Sequence, residues 1–209
     1  MSGETRTGGQ VVIDILAANG IDRAYCVPGE SYLGVLDAVR EAGNSFTLHV
    51  CRQEGGAAYM AEAYACLTGR PGVCMVTRGP GACNAAIGIH TAEQEGVPMI
   101  LLVGHTTTGT EGRVAFQEID LAAFYGGMAK RVFVADRAED IAGIMEEAVA
   151  LSLSGRPGPV IVGLPEDIQL SPLPRLAPKP AQPPPPPPGS RVFYQIAQNF
   201  APPTAPIVL

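Results

Sequence analysis

Three short segments hold the residue types that could do chemistry: Val27-Pro28-Gly29-Glu30, Arg52-Gln53-Glu54-Gly55-Gly56-Ala57-Ala58 and Arg78-Gly79-Pro80-Gly81-Ala82-Cys83-Asn84. Each follows a short apolar run. Glu54 is the most informative, because Gly55, Gly56, Ala57 and Ala58 beside it bring no competing charge or bulk. A carboxyl held there away from water can stay neutral and donate a hydrogen bond, which is general acid–base work. The same residue also suits a helix start, where a negative charge is stabilised by ~0.3–1 kcal/mol. Position alone leaves both roles open. Gly79-Pro80-Gly81 has no Lys and no Walker-type spacing, so a nucleotide loop is not indicated, and a tight turn before a helix accounts for its glycines. His49, His90 and His105 form no paired motif and read as packing or hydrogen-bonding residues. Cys26, Cys51, Cys66, Cys74 and Cys83 stand singly, without CxxC pairs or zinc-like His spacing. They read as buried free thiols rather than a metal site or a disulfide framework.

Residues that follow apolar runs need a sheet to position them, and the rest of the chain predicts one. Val12, Ile15, Leu16 and Asn19 follow helical spacing and predict a helix over about 9–19. The apolar run 24–27 stops at Pro28-Gly29, as a buried strand entering a turn would. Ser31 is placed to cap a helix carrying Leu33, Val35, Leu36, Ala38 and Val39. Further strands are predicted at 46–50, 73–77, 99–103, 131–134 and 160–163. Helices are predicted over 55–67, from the 78–81 turn to about 91, near 119–125 and over 138–153. The alternation runs for most of the chain, and the strands are apolar on both faces. The fold class is therefore α/β, a doubly wound, mostly parallel sheet in a three-layer α/β/α sandwich. In such sheets ligands sit at the carboxyl ends of the strands, where all three segments fall.

Composition bounds the rest. A chain of 209 residues with 46% hydrophobic content can bury one substantial core but not two large ones. The net charge of -6, with no run of Lys or Arg, argues against nucleic acid or an anionic membrane as the main partner. No apolar run approaches the ~18–20 residues of a membrane span, and the start MSGETRTGGQ lacks a secretory signal. A cytoplasmic protein is the expectation. Half of the 20 prolines fall between Pro172 and Pro188, ending in a run that favours polyproline II and reads as a stiff linker. A helix-like stretch at 192–200 and the apolar ending Pro206-Ile207-Val208-Leu209 then read as the start of another domain. The expected organisation is a domain over 1–170, a linker over 171–190 and the start of a truncated domain over 191–209, the front part of a longer protein.

Six motifs occur in one order: Glu30 after Pro-Gly, RQEGGAA around Glu54, RGPGACN ending at Asn84, PMILLVGH ending at His105, AFQEID around Gln117, and GRPGPVIVGLPEDIQ over 155–169. With these, the sequence resembles the N-terminal, pyrimidine-binding domain of the thiamine-diphosphate enzymes, and within them the acetolactate synthase (acetohydroxyacid synthase) group. The resemblance covers roughly residues 8–170. It implies that Glu54 is the catalytic residue, hydrogen-bonding N1′ of the aminopyrimidine of thiamine diphosphate and relaying a proton that activates the cofactor. It places Pro28, Gly29 and Glu30 at a lip near the pyrimidine, and Gly81 and Asn84 close to the cofactor. Phe116, Gln117 and Lys130 match positions near the substrate channel. Arg156, within GRPGP, matches a position that flavin-containing members use against FAD, although an exposed turn residue is its plainer reading. Two residues depart from the pattern: Gln53 stands where the family commonly carries His, and His105 where many relatives have Gln.

The family binds the diphosphate through Mg²⁺ in a separate domain with a GDG…N-type signature, and this sequence contains no GDG. The resemblance thus implies a homodimer or homotetramer in which the diphosphate-binding domain of a neighbouring subunit completes the site. It also implies a small 2-keto acid substrate such as pyruvate, decarboxylated and then ligated, and no turnover by this chain alone. A separate pyrimidine-domain subunit of a two-chain 2-keto acid decarboxylase is the alternative enzyme. A non-catalytic scaffold is the alternative outside catalysis, and Glu54 speaks against it.

Overall fold

A computed structural model describes residues 5–175 and Pro180. The expected proline run at 183–188 and the expected domain start at 191–209 lie outside the described residues. Strand β1 (Thr5–Thr7) leads directly into helix α1 (Gly8–Ala18). That helix opens on a capping box: Gln10 N donates to Thr7 Oγ1 at 3.2 Å, and Thr7 N donates to Gln10 Oε1 at 2.9 Å. Two of the amides that a helix start leaves unpaired are thereby satisfied. There follow β2 (Arg23–Cys26), α2 (Leu33–Ala42), β3 (Thr47–Val50), α3 (Glu54–Thr68), β4 (Gly72–Val76) and α4 (Gly79–Glu95). The chain continues through β5 (Met99–His105), α5 (Leu121–Tyr125), β6 (Arg131–Val134), α6 (Ile141–Leu153), β7 (Pro159–Pro165), α7 (Glu166–Leu170) and β8 (Pro172–Pro174).

Six strands form one sheet in the order β3-β2-β4-β5-β7-β6, with every pair parallel. This is the doubly wound architecture that the alternation predicts. Successive strand residues point to opposite faces, and here both faces are apolar. Cys26, Met75, Ile100, Leu102, Val160 and Val162 join a core with α1, α2 and α6. Tyr25, Cys74, Val76, Leu101, Val103 and Ile161 join a second core with α3 and α4. Those two helices meet through small residues: a Cβ on Gly88 would sit 2.6 Å from the Ala58 Cβ. The order reverses at β2, with β3 on one side and β4 on the other, and this opens the crevice in which such sheets hold ligands.

Three details differ from the sequence-based expectation. Ser31 does not cap α2. It lies fully buried in a single 3₁₀ turn (Glu30–Tyr32), 2.8 Å from Thr77 Oγ1, because that turn is drawn across the sheet edge before the helix begins. The cysteines are not uniformly buried: Cys26 and Cys74 are, but Cys66 and Cys83 are exposed on the outer faces of α3 and α4, and all five are free thiols. Pro172–Pro174 pair antiparallel with Thr5–Thr7, so the first residues of the expected linker lie in a two-stranded ribbon. Proline is tolerated in such an edge because no neighbour needs its missing N–H. Among the described residues, no helix is long and apolar enough to cross a membrane.

Candidate active site

Beyond β3 the chain turns into α3 within three residues. Gln53 takes the N-cap, its Oε1 accepting from Gly56 N at 2.9 Å. The departure at position 53 therefore serves the helix start. Glu54 follows as the first residue of α3, half-buried at the carboxyl edge of the sheet. Asn84, in the second turn of α4, donates from Nδ2 to Glu54 Oε2 at 2.9 Å. Among the described residues no hydrogen bond reaches Oε1. Gly55 makes this pairing possible: a Cβ there would sit 3.0 Å from the Ile87 side chain and 3.3 Å from the Asn84 carbonyl. Beside it, the Cβ position of Gly56 faces open space.

The Pro28–Glu30 segment is fixed by close approach. A Cβ on Gly29 would lie 2.6 Å from Thr77 Cβ, and one on Gly104 only 2.2 Å from Ser31 Oγ, so the 3₁₀ turn rests directly on β5. Gln169 of α7, fully buried, donates from Nε2 to the carbonyls of Ser31 at 2.8 Å and Leu164 at 2.7 Å. Above this lies Arg78, only 9% exposed, at the end of β4. Its guanidinium pairs with Glu30 at 3.0 Å and with Glu166 at the start of α7. A buried cation is costly unless paired, and two carboxylates supply the pairing. Arg78, Glu166 and the neighbouring Asp167 stand inside quoted motifs but carry no role in the sequence reading. The available signal was an arginine placed directly after an apolar strand.

The connection 106–120 folds over the same edge. Glu118 accepts from Gly112 N at 2.5 Å and Ala115 N at 2.7 Å, and these two amides hold its carboxyl below the usual range. Asp167 accepts from Thr108 N at 3.1 Å and Thr108 Oγ1 at 2.6 Å. His105, buried at the end of β5, pairs through Nε2 with the Ile119 carbonyl at 3.1 Å, in keeping with a hydrogen-bonding role. Gly79 N donates to Gln117 O at 2.9 Å. Val114 and Gln117 have φ of 56° and 59°, a region that costs non-glycine residues energy and persists only where surrounding contacts impose it. Phe116 between them is 74% exposed.

Glu54, Asn84, Gly81, Pro28, Gly29, Glu30 and Gln117 are thus gathered at the carboxyl edge, with Phe116 on the loop beside them. Lys130 and Arg156 are not. They precede β6 and β7, and so lie at the amino edge of this parallel sheet. Lys130 Nζ donates to the carbonyls of Leu151 and Ser154, each at 2.5 Å, at the end of α6, and burial pushes its ammonium down from the ordinary value. Arg156 Nη2 donates to the Gln94 carbonyl at 2.6 Å, in the last turn of α4. Cations at helix C-termini satisfy carbonyls that the helix leaves open.

Comparison with known proteins places the chain in a family. The family described as "Thiamine pyrophosphate enzyme, N-terminal TPP binding domain" matches residues 6–124. The chain is 38% identical over 164 residues to the acetolactate synthase isozyme 2 large subunit of Escherichia coli (strain K12), covering 78% of this chain and 30% of that protein. It is 38% identical over 173 residues to the isozyme 3 large subunit of the same organism, covering 83% of this chain and 30% of that protein. The mitochondrial acetolactate synthase catalytic subunit of Saccharomyces cerevisiae is 36% identical over 162 residues, covering 78% of this chain and 23% of that protein. The chain thus spans at most about a third of the length of these relatives.

Proposed function

Because this chain belongs to the thiamine pyrophosphate enzyme family, through that family's N-terminal TPP binding domain, we propose that its carboxyl-edge crevice seats the pyrimidine half of thiamine diphosphate, with Glu54 as the catalytic acid of an acetolactate synthase-like enzyme. The observation that carries this reading is the Glu54 carboxyl itself: Asn84 fixes Oε2 at 2.9 Å, and Oε1 has no partner among the described residues. Glu54 is half-buried and Gly56 beside it is exposed, which leaves room for a ligand against the carboxyl. When bound, the cofactor supplies a carbon nucleophile that attacks a keto carbon and stabilises the charge left by decarboxylation. Glu54 holds a proton at Oε1 against the ring nitrogen. Asn84 keeps the carboxyl from rotating, so the proton is presented in one direction. Pro28, Gly29 and Glu30 form the lip, Gly81 lies close to the cofactor where α4 packs against Val76 and Thr77, and Phe116 and Gln117 face the side from which a 2-keto acid such as pyruvate enters.

The other half of the cofactor does not fit here. Among the described residues no group of three or more His, Cys, Asp or Glu could hold a metal ion. Among the described residues, the one buried cation at this edge, Arg78, is already matched by two carboxylates. Mg²⁺ and the diphosphate therefore belong, in this reading, to another domain, supplied by a neighbouring subunit of a homodimer or homotetramer. Exposed Tyr59, Met60 and Ile87 on α3 and α4, beside Glu54, support a partner on that side. Arg156, in register with a flavin contact, already donates to the Gln94 carbonyl, and FAD has no part in the proposal. The test is Glu54→Gln in the full-length protein. Cofactor binding should persist while hydrogen exchange at C2 of bound thiamine diphosphate slows by about 10²–10⁴-fold, the usual contribution of general acid–base catalysis. Unchanged exchange removes Glu54 from the mechanism.

A further inference from the structure

We infer that Arg78 is a positioning residue for the cofactor, setting the Glu30 lip and the Phe116–Gln117 loop relative to Glu54. This rests on the pyrimidine reading above. Three separate connections meet at Arg78. Its guanidinium reaches Glu30, just beyond β2, at 3.0 Å. The same group reaches Glu166, which opens α7 just beyond β7. The peptide that follows it, Gly79 N, holds Gln117 O at 2.9 Å, and that residue sits at φ 59°. The next residue along α7, Asp167, grips Thr108 at the other end of the same loop. One buried side chain and its adjoining amide thus join the lip, α7 and the substrate-side loop.

The burial pattern separates this from an ordinary surface ion pair. Exposed pairs contribute about 0–1 kcal/mol because both side chains stay solvated and mobile. Arg78 is 9% exposed, and its Nε is buried with no partner among the described residues, so the two carboxylates alone orient it. Glu30 is the converse, with its side chain 69% exposed and this guanidinium as its charged partner. A water-facing carboxylate tied to a buried cation gains its direction from that cation. Without Arg78, Glu30 would swing into solvent and Glu166 would repel it. Arginine suits the task because its planar fork can meet two carboxylates at once, which a lysine ammonium does less well.

The experiment is a double-mutant cycle in the full-length protein, read as the dissociation constant of thiamine diphosphate with Mg²⁺ by calorimetry, alongside Tm. Arg78→Gln and Glu30→Gln should each raise that constant about tenfold. The double variant should be no weaker than Arg78→Gln alone, because that substitution already removes the tie to Glu30. Arg78→Lys should recover part of the loss. If Arg78→Gln does not fold, Glu30→Gln with Arg78→Lys carries the same comparison, since Glu30 is exposed. A constant within about twofold of the unsubstituted protein, with only Tm lowered, makes Arg78 a structural residue and overturns the inference. Additive losses near a hundredfold in the double variant overturn it as well. If the unsubstituted protein binds no thiamine diphosphate, the pyrimidine reading falls with it. If Glu54→Gln slows C2 exchange while the Arg78 and Glu30 variants bind normally, only the inference about Arg78 falls.

Discussion

At the carboxyl edge of the sheet, Arg78 lies buried between Glu30 and Glu166, whereas at the amino edge Lys130 and Arg156 donate to backbone carbonyls that end α6 and α4. The contrast separates two uses of a positive charge in one fold. A cation held by helix carbonyls completes secondary structure, and its partners are fixed by the chain's own course. A cation held by side-chain carboxylates arranges groups that could also face a ligand. Arg78 and Arg156 both fall in quoted motifs, so motif register alone did not distinguish them.

The largest effect that can test this contrast is the one at Glu54, where the Gln variant should slow C2 exchange by about 10²–10⁴-fold. Next comes Asn84→Ala. A hydrogen bond to a neutral group contributes about 0.5–1.5 kcal/mol, so losing this one should lower kcat/KM about 2–10-fold with little change in Tm. A Tm loss with unchanged kinetics would instead make Asn84 a helix-packing residue. At the amino edge, Lys130→Met should cost roughly 1 kcal/mol, a Tm drop of about 2–4 °C for a fold of this size, by leaving the α6 carbonyls unpaired. A raised KM for the 2-keto acid at unchanged Tm would break the contrast and return Lys130 to the substrate channel.

The smallest effect concerns a charge with no cation at either edge. Glu62 on α3 is 7% exposed with Oε1 unpartnered, and burial, aided by repulsion from Glu95, pushes its carboxyl up from 4.5 to about 6. The folded state then binds the proton more tightly than the unfolded chain. Stability from this group is therefore full below pH 4.5 and falls as pH rises to about 6. Glu62→Gln should flatten that fall, raising Tm above pH 6 and not below pH 4.5. An equal shift at both pH values would show that the charge is not the cause.

Most of the sheet was legible because its strands are apolar on both faces and bounded by Gly or Pro. The strand at 131–134 lies where the run of residues places it, and α1, α3 and β7 differ by only one or two residues at their ends. The placement of Glu54 and Asn84 at the carboxyl edge was also legible, since Glu54 opens the helix after one strand and Asn84 lies in the second turn of the helix after another. What escaped was long-range. Arg78 meets carboxylates 48 and 88 residues away, and no local spacing encodes such a pair. Ser31 looks like a cap locally, but Gly104, on a strand formed much later, leaves the hollow that buries it. The short ribbon strands have no periodicity to read, and prolines at 172 and 174 argue for a linker until a partner strand is found.

That ribbon gives the fold a single doorway. With Thr5 opposite Pro174 and Thr7 opposite Pro172, the polypeptide enters and leaves the sandwich side by side. A short peptide joining residue 5 to residue 174 would close the domain into a ring, so new ends could be opened at an exposed connection elsewhere without unthreading the sheet. The sandwich is in this sense a cassette: it can be spliced into a host chain, or hung from one, at one point of attachment.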